Sequence, residues 1–340
     1  MKVVYPVIRG SGVSVYTERL IAGLAALNVA GKVVSFSPHW EYLPWGLKWA
    51  WSRAGHCAQE CSVVHVNADY GHFFRVPGRP LVATLHHSAI DAAYLASLSA
   101  TVRLHHRWIL RPAVAKTMDL ADALVTVSQH TRATLCEVFQ KDFAMRVIPN
   151  GIDVRRFYPV PQEQRDGTGP AALFFSGNLS HRKGADLFVP VMKELGKDFL
   201  LRVTSGLRGS AGRFLEAPNI QCLGRLSEEA LIREINRADM AFQPSRREGF
   251  GLSILEAMAC GKPVVSTNDS AIPEVLVQGE GGYLCEPGSV DQLVSAIRRL
   301  ADSASLRSRM GQFNRRRVEE KFTLDKMAKE YYSLYESLEC

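Results

Sequence analysis

Several familiar devices are missing from these 340 residues. No stretch approaches the roughly 18 uncharged apolar residues that a membrane span requires. The opening MKVVYPVIRG has one lysine and an apolar run too brief for a signal-peptide core. The seven cysteines are odd in number and contain no CxxC pair, so reduced thiols in a cytoplasm are expected rather than a disulfide framework. No two aspartates stand as Asp-x-Asp, which removes that metal-chelating device, and the histidine pairs 86/87 and 105/106 lack zinc-ligand spacing on a helix face. The first strand is not followed by GxGxxG, which disfavours a nicotinamide oxidoreductase. Zinc-finger, RNP and helix-turn-helix patterns are absent too, so nucleic acid is not an expected partner. Tryptophan does not occur after Trp108.

What is present is charge and apolar content in ordinary proportion, 22% and 46%, on a chain long enough for two cores. The net charge of +7 is uneven: residues 1 to 158 hold 17 Lys and Arg against 10 Asp and Glu, and residues 159 to 340 hold 24 of each. An anionic partner for the first half follows, either a membrane face or a phosphorylated acceptor. All five tryptophans lie there, four of them in HWEYLPWGLKWAWSR beside Lys48 and Arg53, and RLHHRWILRPAVAK at 103–116 adds further basic charge. Aromatic and basic residues together suit a bilayer interface, and core packing is the competing expectation for the tryptophan segment.

Short apolar runs at 3–8, 33–37, 63–66, 81–85, 123–127 and 146–148 alternate with helical patterns, which means a parallel, doubly wound sheet. The polar, proline-bearing stretch 155–170 reads as a linker, after which a second series follows with strands at 173–176, 200–204, 220–223, 240–243, 264–266 and 282–284. The expected organisation is therefore α/β. A first Rossmann-like domain over 1–158 faces a second over 159–322 across a cleft, and a helix within 323–340 packs back on the first.

Chemistry concentrates in MAFQPSRREGFGLSILEAMACGKPVVS, residues 240–266, which reads as strand, loop, helix, cap and strand. Gly249 and Gly251 let backbone approach a ligand, and a helix opening at Leu252 leaves the N–H groups of Gly251, Leu252, Ser253 and Ile254 as an anion site. Glu256, one turn inside, can accept from a vicinal diol such as ribose, and Glu248 lies on the loop eight residues earlier. Gly261 suits a left-handed cap before Pro263.

The spacing Glu248-x7-Glu256 within EGFGLSILEAMACGKPVV closely resembles the EX7E signature of glycosyltransferase family 4, retaining enzymes of the GT-B fold. VSQHTRATL (127–135), VIPNGIDVRRFYP (147–159), SGNLSHRKGADLF (176–188), APNIQCLGRLSEEAL (217–231) and AIPEVLVQGEGGYLCEPG (271–288) extend the resemblance. It implies a nucleoside-diphosphate sugar as donor and no metal. Glu256 would hold the donor ribose, Glu248 would contact the transferred sugar, and Lys183 would lie on the diphosphate. Leu223 is implied at the donor, His86 beside the donor sugar, and Gly10 and Gly12 in the loop that nears donor phosphate and acceptor. Asp69, after another strand, is expected at an acceptor hydroxyl. The chain departs from the family at Gly177-Asn178, where arginine usually follows the glycine, so Arg182 or Asn178 is expected to serve the phosphate.

The reading that results is a retaining glycosyltransferase in the cytoplasm or on the inner face of the cytoplasmic membrane. Its acceptor is expected to be a lipid-linked, lipopolysaccharide-type or polysaccharide glycan. Retention by front-face attack and retention through a sugar on Glu248 both remain open. A non-catalytic subunit that keeps the fold and recruits a partner enzyme is the rival.

Overall fold

The computed structural model describes all residues except 9–11, 42–43, 55–59, 88–89, 92–94, 96–97, 161–168, 206–214 and 340. Gly10, Cys57 and Cys340 thus lie outside the described residues. The chain divides into two compact units, Met1–Gly151 with Leu324–Cys340, and Ile152–Thr323.

The first unit holds six parallel strands, β1 (Lys2–Ile8), β2 (Ala30–Phe36), β3 (Val63–Asn67), β4 (Leu81–Leu85), β5 (Ala123–Thr126) and β6 (Met145–Val147), in the spatial order β2-β1-β3-β4-β5-β6. A parallel sheet is covered on both faces, so its inner strands are mostly apolar, while the edge strand β2 is largely exposed, and successive side chains feed opposite cores. Val3, Tyr5, Val63, Val82 and Val125 face α1 (Gly12–Ala25) and the chain's last helix, Leu324–Glu339. Val4, Val64, Val66, Leu81, Ala83 and Leu124 face the opposite way, onto α2 (Trp45–Ala54), a turn at Gly71–Phe74, and a longer helical stretch. That stretch runs from α3 (Ala100–His105) through a π turn, His106–Leu110, into α4 (Arg111–Leu120), and α5 (Gln129–Phe139) follows.

The HWEYLPWGLKWAWSR segment is core-packed only in part. Leu47 and Trp51 are in the core, while Trp45 and Trp49 face solvent. Of the cysteines, Cys61, Cys136, Cys222, Cys260 and Cys285 are free thiols.

The second unit repeats the plan with β7 (Ala171–Phe175), β8 (Phe199–Val203), β9 (Ile220–Cys222), β10 (Met240–Gln243), β11 (Val264–Thr267) and β12 (Gly282–Cys285), ordered β12-β11-β10-β7-β8-β9. Its helices are α6 (Phe188–Leu195), α7 (Glu228–Arg237), α8 (Leu252–Ala259), α9 (Ile272–Val275), α10 (Val290–Ala301) and α11 (Ala304–Lys321). Here the strand order reverses between β7 and β10, the place where the loops leaving two neighbouring strands part to opposite sides and leave room for a ligand.

The seam between the units falls at Gly151/Ile152, seven residues before the expected 158, and one side chain makes several of the bonds that hold the intervening stretch. Arg315 on α11 donates to the carbonyls of Phe157 (2.6 Å), Ala259 (2.8 Å) and Val154 (3.0 Å), which fastens 154–157 to the second unit. Ile152 also bridges to Thr323. The final helix, α12 (Leu324–Glu339), belongs to the first unit. Its approach to α1 is close enough that a Cβ on Gly23 would lie 3.0 Å from Ala328. A buried polar chain fastens it further: Tyr16 donates to Tyr331 (2.5 Å), Tyr331 meets Thr84 (3.1 Å), and His65 joins Thr84 (2.7 Å) to Tyr335 (2.7 Å). Because α12 brings Asp325, Glu330, Glu336 and Glu339 against Lys326 and Lys329, the cationic excess of the first half shrinks in the assembled unit.

Candidate active site

At the switch point of the second sheet, the turn after β7 and the loop after β10 are joined by charged side chains. Lys183 Nζ donates to Glu248 Oε1 at 2.5 Å, and Arg182 Nη1 stands 3.6 Å from Glu248 Oε2. Lys183 and Glu248 are only 13% and 7% exposed. Burial alone would raise the Glu248 carboxyl, yet Lys183 and Arg182 outweigh it and hold the group below the usual carboxylate range. Burial lowers the Lys183 ammonium, with Glu248 and, more weakly, Glu256 acting against that. Glu256, buried on α8, is therefore close enough to feel the lysine's charge.

Local geometry explains why this cluster forms. Gly184 adopts φ +72°, and a Cβ there would sit 2.0 Å from the Pro244 carbonyl oxygen, so only glycine lets the Lys183 turn lie against the β10 loop. Gly251 caps α8 at φ +97°, again left-handed. Beyond it the N–H groups of Leu252, Ser253 and Ile254 have no acceptor inside the helix, by the geometry of any helix start. Ser253 Oγ, in this first turn, is buried with no hydrogen-bond partner among the described residues. Such a hydroxyl beside a helix N-terminus fits an anionic ligand.

Two residues that sequence reasoning missed complete the arrangement. Arg246 forks onto Asp186 (2.7 and 2.8 Å) and donates to the His181 carbonyl (2.9 Å), while its own N–H reaches the Arg182 carbonyl (2.9 Å). Arg182 answers with a bond to the Arg247 carbonyl at 2.9 Å. Glu248 itself is held by its backbone, its N–H on Ser270 Oγ at 2.8 Å. The Arg-Arg pair ahead of Glu248 and the aspartate after RKG were the available signals, but nothing local matched them. Arg246→Lys keeps the charge and loses the fork. It should weaken nucleoside-diphosphate binding about tenfold, or ~1.4 kcal/mol, with little change in Tm, as read by calorimetry and thermal shift.

The remaining expected residues are less closely tied to this cluster. Asn178 follows Gly177, where a Cβ would lie 3.8 Å from Lys183 Cε, so the departure from the family pattern is beside the lysine. Leu223 is half-buried after the edge strand β9, two strands from β7, and its N–H donates to the Val203 carbonyl (2.9 Å).

On the first unit, His86 follows β4 and its ring packs edge-on against Tyr16, with centroids 4.3 Å apart. Burial, helped by His87, pushes its pKa down to about 3, so it is a neutral imidazole at physiological pH. His65, Asn67, Tyr16 and Thr17 line the same small hollow at the carboxyl ends of β1, β3 and β4. His65 and Asn67 were not singled out from sequence. Asp69 accepts from Asn67 at 2.9 Å and lines a neighbouring hollow with His87, Ile90 and Leu135. Gly12 begins α1, exposed, with nothing within 4 Å of a built Cβ.

Two Rossmann-like units of six parallel strands each make the architecture that of the GT-B fold. The structure superposes on Anabaena HepE, a structure holding UDP and glucose, with a TM-score of 0.79 at 18% identity, covering 99% of this chain and 100% of that one. Residues 10–156 match the family model described as Glycosyltransferase Family 4, and residues 160–317 match Glycosyl transferases group 1. The chain belongs to glycosyltransferase family 4. A glycogen synthase of Mycobacterium tuberculosis is 29% identical over 78% of this chain and 64% of its own length. A GDP-mannose-dependent monoacylated α-(1-6)-phosphatidylinositol monomannoside mannosyltransferase of Corynebacterium glutamicum is 28% identical over 67% and 65%. The chain thus spans about two thirds of the length of these relatives.

Proposed function

We propose that the protein is a retaining glycosyltransferase that moves a sugar from a nucleoside-diphosphate donor to a glycan acceptor without a metal. The observation that carries this reading is the buried Lys183–Glu248 pair, with Arg182 beside it, at the switch point that α8 also enters. A diphosphate lying on the start of α8 would meet the N–H groups of Leu252, Ser253 and Ile254 and the Ser253 hydroxyl. Lys183 and Arg182 would take up the charge that grows on the leaving phosphate as the bond to the anomeric carbon breaks. Glu256 would hold the ribose. Neutral His86 would offer the donor sugar a hydrogen bond rather than a positive charge, and Asp69 would meet the acceptor.

Both oxygens of Glu248 face cations, Oε1 on Lys183 and Oε2 towards Arg182, which favours an orienting role over attack on carbon. The acceptor hydroxyl then adds on the face from which the diphosphate leaves and passes its proton to a departing phosphate oxygen. A glycosyl adduct trapped on Glu248, seen by mass spectrometry with a slow donor, would overturn that preference.

The relative that acts on a phosphatidylinositol mannoside supports a lipid-linked acceptor, and lipopolysaccharide or polysaccharide glycans fall in the same class. No helix among the described residues is long and apolar enough to cross a membrane. Our reading has the protein meet such an acceptor as a peripheral protein on the inner face of the cytoplasmic membrane.

The deciding experiment is transfer or donor hydrolysis by the purified chain, screened over nucleoside-diphosphate sugars in excess EDTA. Undiminished turnover under chelation, abolished by Glu248→Ala, is expected. Turnover that needs added Mg2+ or Mn2+ would refute the metal-free step. Donor binding without any turnover would establish the rival, a non-catalytic subunit.

A further inference from the structure

We propose that the outer sides of α2 and of α3 with its π turn form a docking surface for an anionic lipid bilayer. Trp45 is 66% exposed, Trp49 59%, Leu104 59% and Trp108 66%. These helices are placed by other residues, Leu47 and Trp51 on α2 and Leu110 at the end of the π turn, all buried in one core. The exposed indoles are therefore surplus to folding. α3 has no buried residue at all. Both stretches cover the same face of the first sheet, with α2 and α4 each packed on the Gly71–Phe74 turn.

Within these helical segments the charge has one sign. Lys48 and Arg53 on α2, and Arg103, Arg107 and Arg111 along 100–111, are met by no acidic residue within 45–54 or 100–111. Arg53 lies 4.5 Å over the Trp49 ring and Arg107 lies 5.6 Å from the Trp108 ring centre. Indole paired with guanidinium suits the headgroup layer, where the ring reaches the acyl boundary and the cation stays among phosphates. A second copy of the chain fits poorly, because a two-fold contact through this face sets arginine against arginine. The surface adds to the lipid-acceptor reading a place where the protein would meet its substrate's membrane, and it rests on that reading only for its biological sense.

The test is sedimentation of the full chain with phosphatidylcholine vesicles, with and without equimolar phosphatidylglycerol. Binding to the anionic vesicles alone is expected, and its release in about 0.5 M NaCl, where screening acts within ~4 Å. The variant Trp45→Ser/Trp49→Ser/Trp108→Ser should bind at least about tenfold more weakly, and brominated lipid should quench wild-type fluorescence but not the variant's. In Lys48→Gln/Arg53→Gln/Arg103→Gln/Arg107→Gln, affinity should fall about fivefold for each cation removed that lies near the surface. Thermal shift by nucleoside diphosphate should be unchanged in both variants, which shows them folded. Equal binding by wild type and variants, binding to neutral vesicles alone, no binding, or a wild-type dimer that the tryptophan variant abolishes would each overturn the proposal. Vesicle binding without any sugar transfer would instead refute the transferase reading and leave this surface standing.

Discussion

Lys183→Met is expected to lower kcat/KM by about 10² to 10³, or ~3 to 4 kcal/mol, because on the proposed mechanism it removes a fixed cation from the leaving diphosphate. It should also destabilise the second unit, since Glu248 stays buried and, among the described residues, keeps Arg182, at 3.6 Å, as its ion-pair partner. Breaking a buried pair costs about 3 to 5 kcal/mol, and the remaining arginine puts this case at the low end. For a unit of this size, ~3 kcal/mol corresponds to roughly 6 to 12 °C in Tm. The two effects separate in the double variant Lys183→Met/Glu248→Gln, which buries no lone charge. Its Tm should recover most of the loss while its activity stays at or below that of Lys183→Met, and a double variant that regains activity would sink the catalytic role. The pH dependence carries the same sign. Glu248 is held below its ordinary 4.5, so the stability its ionised form lends is present above that value and is lost only as pH falls through the depressed one. In Lys183→Met the burial contribution is less opposed, and the acid limb of both stability and kcat/KM should move to higher pH.

Strand existence was legible in the sequence because parallel strands covered on both faces read as apolar runs; all twelve stand near the expected positions, although β2, β6 and β9 at the sheet edges are short of such a run or largely exposed. Boundaries set by distant partners were not legible. The stretch 154–157 looks like a polar linker, and it is distant partners that make it part of the second unit, Arg315 over 150 residues away and Glu228, which pairs with Arg156 at 2.7 Å. The four tryptophans between residues 40 and 51 show the limit of periodicity. Residues 45 and 49 share one helical stripe and 47 and 51 another, but both stripes are apolar and only tertiary packing decides which faces the sheet. At the candidate site, Glu248, Gly251 and Glu256 were singled out because they stand in one contiguous segment, and Lys183 because its own RKG turn resembles the family's. Asp186 and Arg246 were missed because their fork forms across 60 residues, between loops that only the strand order makes neighbours.

Gly184→Ala should reduce kcat/KM by about 10² with donor KM raised, although it touches no substrate. Two penalties act together. The residue sits at φ +72°, which costs a non-glycine about 1 to 2 kcal/mol, and its methyl would fall 2.0 Å from the Pro244 carbonyl oxygen. That oxygen belongs to backbone directly after β10, whose four residues are all buried, so the strand cannot yield and the turn must. The turn carries Lys183, and a displacement of ~1 Å from its working position is enough for a hundredfold loss. Gly279 supplies the control, with φ +76° in the same unit and nothing within 4 Å of a built Cβ. Gly279→Ala should show the backbone penalty alone, a few degrees in Tm with normal kinetics. If the two variants differ in neither activity nor donor affinity, the close approach of Gly184 to Pro244 is not what aims the lysine, and the rigid turn loses its place in the mechanism.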